Sequence, residues 1–338
     1  MNNINKLFLT TITLAFLYSC SNTQNQSTQS TDDKLLPSDV ITNLNEWKIL
    51  NGDGSKSDKL EGYEKDSFFY ATTDEATDWV VYKTPNSGIT SRTSSNTRTE
   101  LGQKAHWVPE TGGKLSGTLK VMNVSTSGDA TKRSSYSVVV GQIHSDEGHE
   151  NEPLKIYYKK FPGHTKGSVF WNYEINTSGD NAGRWDFSTA VWGYDFSDVG
   201  TGPETYPTEP LDGIALGEEF SYEVNVYEGI MYLTFSSEGH ETIKFTKSLI
   251  QSDFVEKSDI PDQVVKAYAS STKGSGTERP TAYAGEMQYF KQGCYNQANG
   301  KSTKSDIYNG DIEKQYANGS YAEVWFKASS LGAGTKPQ

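Results

Sequence analysis

The chain has 338 residues, of which 34% are hydrophobic, 12% aromatic and 22% charged, with 31 glycines. This is enough apolar material for one large domain, and the abundance of glycine and aromatics favours short strands and turns over long helices. A formal charge of −12 fits a nucleic-acid binder poorly, although a local basic cleft on an acidic protein still binds an anion. The only cysteines, Cys20 and Cys294, provide neither a disulfide framework nor a Cys-based metal site.

In chain order, the first element is a targeting segment. Lys6 is the only charge before Cys20, and an apolar run follows it from Leu7 to Leu17. A basic start, a short apolar stretch and a small residue ahead of the cut define a secretory signal over residues 1–19. At about ten residues the run is too short to span a bilayer, which takes about 20. Leu17-Tyr18-Ser19-Cys20 resembles a bacterial lipoprotein box, which implies lipidation of Cys20, although Tyr18 is bulkier than usual there. Residues 20–38 are polar and lack aromatics, so they read as a flexible tether. The expected protein is exported and either anchored by lipid to the outer membrane or secreted.

Residues 39–338 show no repeat and no break in composition, and they read as one domain. Period-two alternation marks strands in Ser134–His144, Tyr222–Phe235 and Gln288–Gln297, with a hairpin turn at Glu228-Gly229. Thr246–Val255 and Pro261–Ala267 are the places where a helical turn is expected. Phe196–Asp212 is a long loop with three prolines, read either as a lid over a groove or as a surface crossover. The pattern predicts an all-β, jelly-roll sandwich of two antiparallel sheets.

Three strand-like segments carry polar residues at alternate positions: Arg98-Thr-Glu100-Leu-Gly102, Gln142-Ile-His144 and Tyr289-Phe-Lys291-Gln-Gly-Cys-Tyr295-Asn-Gln297. Strand side chains alternate between faces. Arg98 with Glu100, Gln142 with His144, and Tyr289 with Lys291, Tyr295 and Gln297 therefore share faces, while Leu101, Ile143, Phe290 and Cys294 point the other way. Each piece alone has an ordinary explanation as a surface pair, a structural histidine or a packed tyrosine. If the three strands are neighbours, they line one concave cleft suited to binding an anion and moving protons.

The three segments resemble the signature motifs of the alginate lyases of polysaccharide lyase family 7, which read Arg-[Ser/Thr]-Glu-Leu-Arg, Gln-[Ile/Val]-His and Tyr-Phe-Lys-x-Gly-x-Tyr-x-Gln. Order and spacing match over about residues 40–330, and Gly102 departs from the pattern by standing where many relatives carry Arg. The resemblance implies a jelly roll with a substrate groove that cleaves alginate by β-elimination, without a cofactor. It implies that Arg98 and Gln142 neutralise the uronate carboxylate, that Tyr295 protonates the leaving oxygen, and that either His144 or Tyr295 takes the carbon 5 proton. Lys291 and Gln297 are expected to contact neighbouring sugars and Glu100 to orient Arg98. Tyr289 is expected either to wall a subsite or simply to pack. Endolytic action is expected, and Ile143 hints at guluronate-containing blocks.

His144, Asp146, Glu147, His149, Glu150 and Glu152 cluster without a clean ligand spacing, so they read as a solvated acidic loop and no metal is expected. Trp171, Tyr173, Trp185 and Trp192 are read as core before they are read as sugar platforms. The expected partner is alginate or a related polyuronate such as glucuronan; the membrane is met only through the lipid, no nucleic acid is bound, and the protein is a monomer. A non-catalytic surface carbohydrate-binding lipoprotein is the alternative from another class. A glycoside hydrolase ranks low, because its pair of carboxylates about 5 to 10 Å apart has no counterpart on an acidic strand here.

Overall fold

A computed structural model describes residues 34–337 apart from 91–93, 95, 148–150, 178–182, 201, 263, 265–275 and 299–310. The signal segment, Cys20 and the tether up to residue 33 lie outside the described residues, as do His149 and Glu150. Among the described residues no helix is long and apolar enough to cross a membrane.

Alternating apolar residues build two antiparallel sheets, whose strands are numbered here in chain order. The larger sheet holds β1 (Trp47–Leu50), β2 (Lys56–Ser57), β5 (Arg98–Gln103), β7 (Ser137–Ser145), β8 (Leu154–Lys159), β9 (Lys166–Glu174), β10 (Asp186–Trp192), β11 (Ile214–Ala215) and β15 (Gln288–Asn296). Its order is β10-β9-β8-β7-β15-β5-β1-β2, with β11 paired to β9. The smaller sheet holds β3 (Phe69–Asp74), β4 (Thr77–Pro85), β6 (Gly113–Asn123), β12 (Glu219–Tyr227), β13 (Ile230–Ser236), β14 (Ile243–Ser248) and β16 (Tyr321–Gly332), in the order β14-β13-β12-β6-β16-β4-β3.

The core lies between the sheets. Leu101, Ile143, Ile156, Trp171, Phe290 and Cys294 come from the larger sheet and meet Leu119, Val224, Leu233, Val324 and Phe326 from the smaller one. Tyr173, Trp185 and Trp192 are also buried there, so none of the four aromatics weighed as sugar platforms lies on the surface. Burying so many large side chains is the main term holding the sandwich together, at roughly 25 cal/mol per Å² of apolar surface removed from water. Gln292 bridges the layers by donating to Tyr222 Oη at 2.7 Å, and Tyr222 donates in turn to Val140 O at 3.2 Å.

Local chemistry sets the ends of the elements. Glu228 and Gly229 both have positive φ, 49° and 77°, which is the geometry that lets a two-residue turn close β12 on β13 without splaying them. The helical turn expected within Thr246–Val255 does not form, because residues 246–248 continue β14 against β13 and a 3-10 turn follows only at Lys257–Asp259. Pro261–Ala267, the other expected turn, lies largely outside the described residues; helices with described bounds are α1 (Pro37–Val40) and α2 (Ile312–Asn318), where Asp311 caps α2 by accepting from Lys314 N at 3.0 Å and Gly319 ends it at φ 82°.

Candidate functional site

The three polar segments fall on adjacent strands, β7-β15-β5, in the middle of the larger sheet. Lys291 stands opposite both Gln142 and Gly102, Tyr289 opposite His144, and Tyr295 opposite Arg98. Partners across a ladder project to the same side. Arg98, Glu100, Gln142, His144, Tyr289, Lys291 and Tyr295 therefore share the face turned away from the core.

Two irregularities make this possible. On β7, Val138, Val140 and Ile143 all enter the main core, whereas Val139 joins a separate cluster with Tyr157 and Phe170 on the outer face. A strict period of two cannot do this; the β7–β8 register shift between Val139 and Gly141 supplies the extra residue. On β15 the register against β7 shifts between Gln292 and Tyr295, around Gly293 at φ 146°. A Cβ on Gly293 would lie 2.7 Å from Thr99 O, so the bend that aims Tyr295 requires glycine.

Glu100 is the hub of the site. It accepts from Arg98 Nη1 at 3.2 Å and from Gln142 Nε2, and Lys291 Nζ lies 4.0 Å away. Three donors on three strands are thus oriented by one buried carboxylate. Arg98 Nε and Gln142 Oε1 are buried with no hydrogen-bond partner among the described residues. The Arg98 guanidinium sits 3.6 Å from the centre of the Tyr295 ring. Burial works against its charge, but Tyr295, Glu100 and Glu152 together hold its pKa above the ordinary value.

Ser94 was not singled out in the sequence. Its hydroxyl accepts from Arg98 Nη2 at 3.2 Å and lies 3.1 Å from Tyr295 Oη, tying the cation to the phenol. The only signal was its position four residues before Arg98 in a Ser/Thr-rich stretch.

His144 is tied down at Nδ1, 2.7 Å from Ser145 O. A carbonyl only accepts, so Nδ1 carries the proton and Nε2 presents a lone pair. Burial, reinforced by the Lys291 charge, pushes the imidazole down to about 4, so it is neutral at neutral pH. Nε2 lies 3.6 Å from Glu152 Oε1, which places an anion where an imidazolium would form. Glu152 appeared in the sequence only within the acidic cluster. Asp146 turns elsewhere, 2.9 Å from His106 Nδ1, and among the described residues no three His, Cys, Asp or Glu side chains converge as a metal cage.

Tyr289 is sandwiched between His106 and His144, with ring centroids at 4.8 and 5.1 Å. Burial, followed by the Glu100 charge, raises its phenol above the ordinary value, so it is a neutral wall beside the imidazole. Gln297 lies one residue beyond β15, where it accepts from Asn96 Nδ2 at 3.4 Å and turns Nε2 back to Tyr295 O at 3.4 Å.

Past β7 the outer face is covered. Lys155 of β8 lies 3.4 Å from Glu152, 3.2 Å from Glu174 and 3.7 Å from Asp186, and Arg184 Nε lies 2.8 Å from Glu174. Burial raises the Glu174 carboxyl despite Lys155 beside it, whereas Lys155 and His144 hold Glu152 low against its own burial. Phe196, at the start of the long loop, packs on Tyr157 and Phe170 with centroids at 5.0 and 4.7 Å, in the cluster that Tyr295 also touches. Farther along, Tyr206 stacks on Phe161 at 4.2 Å.

A model of the alginate lyase family matches residues 42–332. The chain is 30% identical over 281 residues to an alginate lyase of Klebsiella pneumoniae, covering 73% of this chain and 76% of that protein. Among solved structures, the exolytic family 7 alginate lyase AlyA5 of Zobellia galactanivorans is 70% identical with a TM-score of 0.86, over 89% of this chain and 99% of its own. The solved alginate lyase of Klebsiella pneumoniae shares the fold at a TM-score of 0.63 and 24% identity, over 90% and 100% of the two chains. Together the jelly roll, the polar set on β5, β15 and β7 and these matches define a polysaccharide lyase. Within that class the chain belongs to the alginate lyases of polysaccharide lyase family 7.

Proposed function

We propose that this alginate lyase cleaves by β-elimination near a chain end, with Arg98 and Gln142 holding the uronate carboxylate, His144 as base and Tyr295 as acid. The observation that supports this reading is that Tyr295 and the His144 lone pair stand on different sides of the Arg98 and Gln142 side chains. Tyr295 belongs to the Arg98–Ser94 side and the His144 lone pair to the Gln142–Glu152 side. Removing the carbon 5 proton leaves a carbanion beside a carboxylate, and the Arg98 and Gln142 donors let its charge spread into that group. The proton goes to His144 Nε2, and the electron pair forms the double bond between carbons 4 and 5. The bond from carbon 4 to oxygen breaks, and that oxygen takes the Tyr295 proton. A base and an acid on opposite sides suit guluronate, whose carbon 5 hydrogen and leaving oxygen lie on opposite faces. The reading therefore includes a preference for guluronate-containing blocks.

The motifs alone led to an expectation of internal cutting. End-wise cutting is favoured instead by the covered face over β8, β9 and β10, where Lys155, Glu174 and Asp186 are buried in their own network beside Phe196. The 70% identical relative described as exolytic points the same way. Export with lipid on Cys20 remains part of the proposal, supported by the apolar run before it; loss of radiolabelled-palmitate incorporation in Cys20→Ser checks it.

The test is the near-ultraviolet absorbance of the conjugated product. Tyr295→Phe is expected to lower its rate of formation by about a thousandfold, the middle of the range for loss of a general acid. Retained cleavage rejects Tyr295 as the proton donor. Polyguluronate is expected to outpace polymannuronate, and equal rates remove the block preference.

A further inference from the structure

On the outer face of the larger sheet, two lysines stand opposite the same glycine from either side: Lys291 of β15 and Lys48 of β1 both pair with Gly102 of β5. Adjacent strands lie about 4.8 Å apart, so these lysines bracket Gly102 with their Cα atoms about 10 Å apart. Trp47 and Ile49, the neighbours of Lys48, enter the core, and Lys48 itself is exposed on the outer face. Its stem lies over the bare glycine: a Cβ at Gly102 would meet Lys48 Cε at 3.5 Å, Lys48 Cγ at 3.7 Å and Tyr289 Cε2 at 3.9 Å. The amine ends 5.7 Å from the Tyr289 ring centre. Among the described residues no carboxylate lies within 4 Å of it, whereas Lys291 has Glu100 at 4.0 Å.

Gln142, Lys291, Gly102 and Lys48 thus form one row across β7, β15, β5 and β1, leading from the carboxylate-binding set away from the covered face over β8. An exposed cation at the open end of that row, in a chain with 43 acidic and 31 basic side chains, is placed to receive an anion. We propose that Lys48, lying on the floor left by Gly102, binds the carboxylate of the uronate next to the one being cleaved. The proposal rests on the reading of Arg98 and Gln142 as the carboxylate-binding set for the reacting sugar. A lysine that touches a non-reacting sugar contributes equally to ground state and transition state, so its loss falls on KM.

The experiment measures kcat and KM on alginate at low salt for three variants. Lys48→Ala is expected to raise KM about tenfold with kcat within about twofold, the size of one charge-assisted contact. Lys48→Glu is expected to raise KM further. In Lys48→Ala/Gly102→Arg a cation returns from the neighbouring strand into the emptied space, and KM is expected to move back towards wild type. An unchanged KM in Lys48→Ala, a loss confined to kcat, or a double variant no better than Lys48→Ala overturns the proposal. The underlying reading of the reacting centre fails separately, by cleavage that survives in Tyr295→Phe.

Discussion

At the residue scale, the informative groups are those whose chemistry is set by a neighbour. His144 is free to accept a proton because Ser145 O fixes the other ring nitrogen and burial holds the imidazole near 4 rather than 6.5. A base works while unprotonated, so between pH 6.5 and 4 His144 remains competent where a free histidine does not. The acid limb of kcat/KM is expected near pH 4 to 5, and a limb at 6 to 7 rejects this environment for the base. The same depression links to stability: folding loses free energy as pH falls from 6.5 towards 4, because the unfolded chain takes up a proton that the fold refuses, to a limit of about 3 kcal/mol. His144→Gln is expected to flatten that acid sensitivity in denaturant titrations. Ser94 offers a second test, since its hydroxyl joins Arg98 to Tyr295. Ser94→Ala is expected to lower kcat about tenfold with little change in KM, because a misplaced acid is felt in the transition state. A change in KM alone assigns Ser94 to binding instead.

At the element scale, the strand faces were legible because alternation has one period and the hydrophobic partners of each motif are clear: Leu101, Ile143, Phe290 and Cys294 are all in the core, as the pattern requires. That β5, β15 and β7 are neighbours was not legible, since residues 98, 142 and 291 are far apart in sequence and alternation carries no pairing information. The bulges were hidden for a related reason. An extra residue on β7 or β15 has meaning only against the partner strand, and Gly293 reads in isolation as one more small residue. The capped helix α2 did have signals, Asp311 before it and Gly319 after it, but seven residues are too few for periodicity to show. The β15 bulge can be tested directly. Gly293→Ala forces a Cβ to 2.7 Å from Thr99 O and 2.9 Å from the Tyr82 ring at a φ that L residues avoid. It is expected to cost about 1–3 kcal/mol in denaturant midpoint and to lower activity further by shifting Tyr295. Full stability with full activity shows that the bend does not depend on glycine.

At the scale of the whole molecule, one sheet face serves two purposes. Across β5, β15 and β7 it carries Arg98, Gln142, His144 and Tyr295, the groups proposed to meet substrate. Across β8, β9 and β10 it is closed by Lys155, Arg184 and three carboxylates, and by the loop that begins at Phe196. The buried ions are no simple gain in stability, since desolvating them offsets much of their attraction. On the proposed end-wise reading they form a wall at one end of the site, where Glu152 and Asp186 repel a further uronate and Phe196 packs over Tyr157 and Phe170. The Pro-rich loop was read as lid or crossover, and its first residue, Phe196, packs on Tyr157 and Phe170. Removing that ring tests the wall while both His144 and Tyr295 keep their side chains. Phe196→Ala is expected to cost about 1–2 kcal/mol for a half-buried ring and to keep the initial rate of unsaturated product on short oligosaccharides. On polymeric alginate it is expected to make viscosity fall faster per double bond formed, as a chain gains passage through the opened end. If viscosity and double bonds keep their wild-type proportion while the variant remains folded, Phe196 does not set the mode of cutting, and the charged network under it becomes the part of the wall to dismantle.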